Sequence, residues 1–167
     1  FGGNIDMIYF YNIHNKDAIL EKGLGIKSRD PLSPAIGWDL WGEMMRNPDS
    51  FKTEYFKYYS CVATIDCEPG THTEAWYLTN SEEDFANNYH GRVTPLTGSG
   101  NIPSMSVGDI VLHEGNDTLP SRNGKFFMCM PVGWKLLEEL TAERAESMAK
   151  TKALMADCLE DYKEESA

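Results

Sequence analysis

The chain lacks most of the features from which a molecular activity can be read directly. No stretch approaches the roughly 18 consecutive apolar residues of a membrane-spanning helix, and no signal-peptide pattern opens the sequence. Basic residues are few: 15 Lys and Arg stand against 26 Asp and Glu, for a formal net charge of −11. That balance argues against binding a phosphate backbone or an anionic membrane surface, both of which need clustered cations. It fits ordinary solubility charge, or an acidic surface that imitates nucleic acid toward a basic partner. Cysteine is scarce as well. Cys61, Cys67, Cys129 and Cys158 contain no C-x-x-C pair. Cys61 and Cys67 fall on one expected strand, about 20 Å apart when extended, too far for a disulfide. The expected state is therefore reduced thiols in a cytoplasm.

Catalytic motifs are absent too. There is no G-x-S-x-G nucleophile elbow; "GLG" at 23–25 does not continue to GxGxxG, and "TGSGN" lacks the Lys of a phosphate loop. No cofactor is implied. One partial metal motif exists: "HTE" places His72 and Glu74 at the spacing of the H-x-E half of a zinc-deaminase site, without its P-C-x-x-C half. On a strand, alternation would put both side chains on one face, so this pair is the one candidate for a cation. His14, His90 and His113 are isolated in sequence and read as solvated or hydrogen-bonded side chains.

What remains is a chain of 167 residues, 41% hydrophobic, enough for one domain with a real core. The first six residues, "FGGNID", read as a remnant from upstream of the natural start, because "MIYFYNI" from Met7 has the β-branched and aromatic content of a first strand. "DAILEKG" reads as a short helical turn. "SPAIGWDLWGEMMRNP" predicts a helix with Ser33 as cap and Pro34 at its first position; Ile36, Leu40, Trp41, Met44 and Met45 fall on one face, and Pro48 ends it. Trp38 projects off that stripe and is a candidate partner contact. "YFKYYSCVATIDC" and "TEAWYLTN" read as two strands joined at Pro69–Gly70, and "SEEDFANNY" as a short helix capped by Ser81. Tyr55, Phe56, Tyr58 and Tyr59 beside Lys52 and Lys57 fit either a stacking platform for single strands or simple packing; the acidic surroundings favour packing.

Two more strands follow in "SVGDIVLH" and "FFMCM", with Ile110 and Leu112 facing opposite to Val111 and His113. Asn123–Gly124 is a favoured tight-turn pair between them. From residue 135 to the end, Leu137, Leu140, Met148, Met155, Leu159 and Tyr162 recur at helical spacing in a Glu-, Ala- and Lys-rich context. The expectation is an α+β domain over 7–134, its mostly antiparallel sheet curled toward a barrel, and a long amphipathic helix over 135–167. That helix packs on the domain or pairs with its counterpart in a homodimer.

The segments "IPSMSVGDIV" and "GKFFMCMPVGWKLL" resemble the C-terminal signature of YodL-like domains found in phage, plasmid and conjugative-element proteins. The matching residues are Ser104, Met105, Ser106, Val107, Gly108, Asp109, Gly124, Phe126, Gly133 and Trp134. The likeness is clear over about 35 residues, and residues 31–60 have no counterpart in it. It implies an accessory protein of mobile elements acting on a host or phage protein in the bacterial cytoplasm, and it supplies no catalytic residues. A looser likeness to the Val-Gly-Asp strand of PUA and ASCH barrels implies a nucleic-acid or nucleotide reader instead. A metal-dependent hydrolase or deaminase is the third reading. Ser104, Ser106, Asp109 and Trp134 join Trp38 as candidate ligand or partner contacts.

Overall fold

A computed structural model describes residues 6–13, 35–67, 72–97, 100–114 and 123–166. The expected turn at "DAILEKG", the Ser33–Pro34 cap and the Pro69–Gly70 turn lie outside the described residues.

Six strands form one antiparallel sheet: β1 (Asp6–Asn12), β2 (Ser60–Cys67), β3 (Val93–Pro95), β4 (Ile110–Glu114), β5 (Lys125–Cys129) and β6 (Trp134–Leu136), in the spatial order β3-β2-β1-β4-β5-β6. The helices are α1 (Ala35–Arg46), α2 (His72–Asn80), α3 (Glu82–Ala86) and α4 (Glu138–Ser166), with 3-10 turns at Pro48–Ser50, Thr53–Tyr58 and Asn88–Gly91. This is the expected α+β class. No described helix is long and apolar enough to cross a membrane.

Alternation along the central strands feeds two separate cores. Ile8, Phe10 and Val111 face one side, where they meet Val62, Ile65, Ala75, Leu78 and Met105. Ile110, Leu112, Phe126 and Met128 face the other and pack with Leu40, Met44, Tyr59, Leu137 and Leu140. The facing expected for Ile110, Leu112 and Val111 is therefore observed. With apolar cover on both sides, β4 is buried from Ile110 to His113 and reads as a continuous apolar run.

Four expectations are corrected. The sheet is open, not barrel-like. Packed elements occupy both of its faces, and its edges, β3 and β6, are three residues each, with Pro95 removing a ladder donor from β3. "TEAWYLTN" is not a strand but most of α2: Ala75, Leu78 and Thr79 are buried at helical spacing. Strand β2 begins only at Ser60, and "YFKY" (55–58) belongs to the 3-10 turn Thr53–Tyr58. There Phe56 lies against Tyr11 (5.0 Å), Tyr59 and Phe126 (5.1 Å), so these rings are core and not a stacking platform. The terminal helix begins at Glu138 and not at 135, because Trp134–Leu136 form β6. The Ser81 cap is as expected, its hydroxyl accepting the Asp84 amide at 3.2 Å.

Candidate functional site

The Ser104–Asp109 segment is built as an internal latch. Gly108 adopts φ +91°, and its α-carbon lies so close to α1 that an added Cβ would meet the Met44 backbone carbonyl oxygen at 2.8 Å. Tyr59 donates its hydroxyl to the Gly108 carbonyl at 2.6 Å, and the Gly108 amide donates to the Cys129 carbonyl at 2.9 Å. The next side chain, Asp109, is 3% exposed and accepts from Asn12 Nδ2 (2.9 Å) and from the Ser106 amide (2.8 Å). Strands β1, β4 and β5, helix α1 and the turn before β2 thus meet at two consecutive residues. The carboxylate turns inward onto Asn12 and the Ser106 amide. Ser104 is exposed, and its carbonyl accepts from the half-buried Ser106 hydroxyl at 3.4 Å.

Beside the latch lies an open cleft of about 350 Å³. Thr73, Trp76 and Tyr77 form one wall, at the i, i+3, i+4 spacing of a single helix face. Val107 and Cys129 form the floor, and Met130, Pro131, Gly133 and Trp134 the opposite wall. Helix α2 is held there from behind. Asn80 Nδ2 donates to the Met105 carbonyl at 2.9 Å, and the Met105 amide donates to Thr79 Oγ1 at 3.3 Å. Across the cleft, Gly133 (φ +74°) accepts the Met130 amide at 3.1 Å, closing the turn that presents Pro131 and aligns Trp134 with Cys129. Among the described residues no charged side chain lines the cleft, and Tyr77 is 63% exposed. Aromatic walls with a few polar tips suit an apolar or aromatic side chain docked from solvent.

Under Trp134, buried His72 and His113 meet with ring centroids 5.3 Å apart; His72 also lies 4.4 Å from Phe127 and 5.3 Å from Trp134. Sequence spacing gave no sign of this pair, which joins α2 to β4. The His72–Glu74 pairing expected from strand alternation fails, because two residues apart on a helix point in nearly opposite directions. Glu74 instead pairs with Arg92, and His72 is interior. Among the described residues no group of three or more His, Cys, Asp or Glu side chains converges on a cation position. Trp38 belongs to α1, with its side chain outside the described residues.

Burial pushes the Cys129 thiol up to about 11, and the Asp109 carboxylate adds to the effect. At neutral pH the floor of the cleft is therefore a protonated, weakly nucleophilic thiol. Since the folded pKa exceeds the unfolded value of about 8.5, the stability it contributes is complete below pH 8.5 and lost as pH rises to 11. We expect the unfolding free energy to fall by about 3 kcal/mol over that window in excess of the fall for Cys129→Ala, measured by urea titration at each pH.

No family model matches the chain, and neither does any curated protein or solved structure compared with it.

Proposed function

We propose that this is a small binding protein without catalysis, of the accessory kind carried by phages and mobile elements. It acts on a host or phage protein in the bacterial cytoplasm, and the cleft between α2 and the β5–β6 turn is its contact surface. The observation that carries this reading is the open, uncharged, aromatic-walled cleft beside the signature residues, formed by Trp76, Tyr77, Pro131 and Trp134. Exposed aromatics in a concave apolar setting are the side chains that most often dominate protein–protein binding energy. The YodL-like resemblance supports the setting; it rests on Ser104–Asp109 and on the Gly124–Trp134 strand and turn.

A nucleotide or nucleic-acid reader is the second reading, favoured by one observation: the same aromatic walls could stack a base. Among the described residues the lining holds no Lys or Arg that would neutralise a phosphate, which favours a protein partner.

Affinity capture from lysate of a phage-carrying host, with the wild-type chain and Tyr77→Ala as paired baits, tests the proposal. The expected outcome is a protein retained by the wild type and weakened at least about tenfold by Tyr77→Ala, with thermal unfolding unchanged. Equal retention by both baits, or quenching of Trp76 and Trp134 fluorescence by oligonucleotides alone, would overturn it.

A further inference from the structure

Helix α4 starts on the domain and then leaves it. Leu140 is buried, Thr141 Oγ1 accepts the Phe126 amide at 3.0 Å, and Arg144 pairs with Glu114. From Ala145 to Glu160 every residue is exposed. Most helical stability in proteins comes from packing an apolar face, so an exposed apolar stripe on this segment calls for a partner. Met148, Met155 and Leu159 keep between 53% and 63% of their surface open. Together with Lys152 they line an apolar groove of about 520 Å³ that only α4 residues form. Their spacing of four, three and four is the alternation of a two-helix coiled coil, and in sequence it runs on to Ala145 and Tyr162.

We infer that a second copy of the chain covers this stripe, its α4 running antiparallel to the first. Two features select that occupant and direction. Lys152 is the one charged residue within the stripe. Parallel pairing would set it against Lys152 of the second copy, whereas antiparallel pairing sets it against Met155, and its ammonium reaches solvent past the small Ala156. Charge also segregates along the helix. Lys150 and Lys152 occupy the middle, while Asp157, Glu160, Asp161, Glu164 and Glu165 crowd the end against a single Lys163. Antiparallel pairing separates the two acidic ends and sets Asp157 level with Lys150 of the second copy, with Asp161 and Glu164 level with Glu146 and Glu143; parallel pairing stacks the two acidic ends directly on each other. The register that matches the stripe to itself sets Met148 opposite Leu159 and makes Thr151 flank Cys158 of the second copy. The seam from Ala145 to Tyr162 is about 26 Å long.

Oxidation of the full chain carrying Thr151→Cys tests both pairing and direction. Thr151 and Cys158 are exposed, so the substitution leaves the core intact. Expected are a disulfide-linked dimer that disappears when Cys158→Ser is added, and no Cys158-dependent cross-link in the parent chain, whose two Cys158 residues lie about 13 Å apart along the seam. Light scattering should give twice 18.8 kDa, reduced to one chain by Met155→Glu with the unfolding transition retained. A mass of 18.8 kDa at all concentrations, a dimer unaffected by Met155→Glu, or cross-linking through Cys158 alone would overturn the inference.

Discussion

Gly108→Ala is expected to destabilise the protein by about 2–5 kcal/mol, the sum of a left-handed backbone penalty and an overpacking penalty. Gly108 sits at φ +91°, where an L side chain is strained in any surroundings. An added Cβ would also lie 2.8 Å from Met44 Cβ and from the Met44 carbonyl oxygen, and 2.9 Å from the carbonyl carbon. Backbone atoms cannot rotate aside as a flexible side chain can, so α1 or the turn must shift. Either movement stretches the Tyr59 hydrogen bond to the Gly108 carbonyl. The control is Gly133→Ala, at φ +74° with nothing within 4 Å of the added methyl, which pays the backbone cost alone, about 1–2 kcal/mol. Chemical denaturation of both variants separates the two contributions: the excess loss in Gly108→Ala reports the approach to Met44. Equal losses would show that α1 does not rest on this turn. Against a total stability of about 5–15 kcal/mol for a domain, the larger loss is enough to leave a substantial unfolded population.

Much of the sheet is legible in the sequence because its strands carry their own instructions. Alternation in "MIYFYNI" and in Ile110–His113, the Gly124 turn and the apolar β5 run are local signals, and each leads to the observed element. Ser81 followed by three acids is equally local. Helix α2 was hidden by its composition. Thr73, Trp76, Tyr77 and Thr79 are residues that strands favour, and nine residues hold little more than two turns of periodicity. The legible clue was Thr71-x-x-Glu74, the spacing of a helix capping box, along with small or apolar residues at 75, 78 and 79. As a strand this segment would form no cleft wall, since Thr73, Trp76 and Tyr77 share a face only on a helix. The cleft itself is not written locally at all. Its walls come from residues 73–77, 107 and 129–134, joined by tertiary packing across the sheet. The signature, by contrast, was plain as a pattern, while its role as a latch depends on Asn12, Met44 and Tyr59, each remote in sequence.

Asp109→Ala is expected to cost about 2–5 kcal/mol, because it strips the acceptor from two donors at once. Asn12 Nδ2 donates to Oδ1 in the interior, and the half-buried Ser106 amide donates to Oδ2. Asp109→Asn separates charge from shape. Its amide supplies one oxygen where two are needed and turns its own N–H groups toward a donor, so it should lose less than alanine but remain clearly destabilised. A double-mutant cycle with Asn12→Ala should show a coupling of about 0.5–3 kcal/mol, since the two side chains share one bond; strict additivity would mean that the latch is not a unit. The same variant has a second readout at the cleft floor. The Asp109 carboxylate helps hold the Cys129 thiol up at about 11, behind burial as the larger cause. Removing the negative charge should therefore lower the thiol pKa without returning it to the free-cysteine value of about 8.5, and the alkaline loss of stability, which still begins near 8.5, should be smaller and end at lower pH. Measured thiolate absorbance against pH gives the sign directly. A thiol that titrates identically in wild type and Asp109→Ala would separate the buried carboxylate from the cleft it is placed to support.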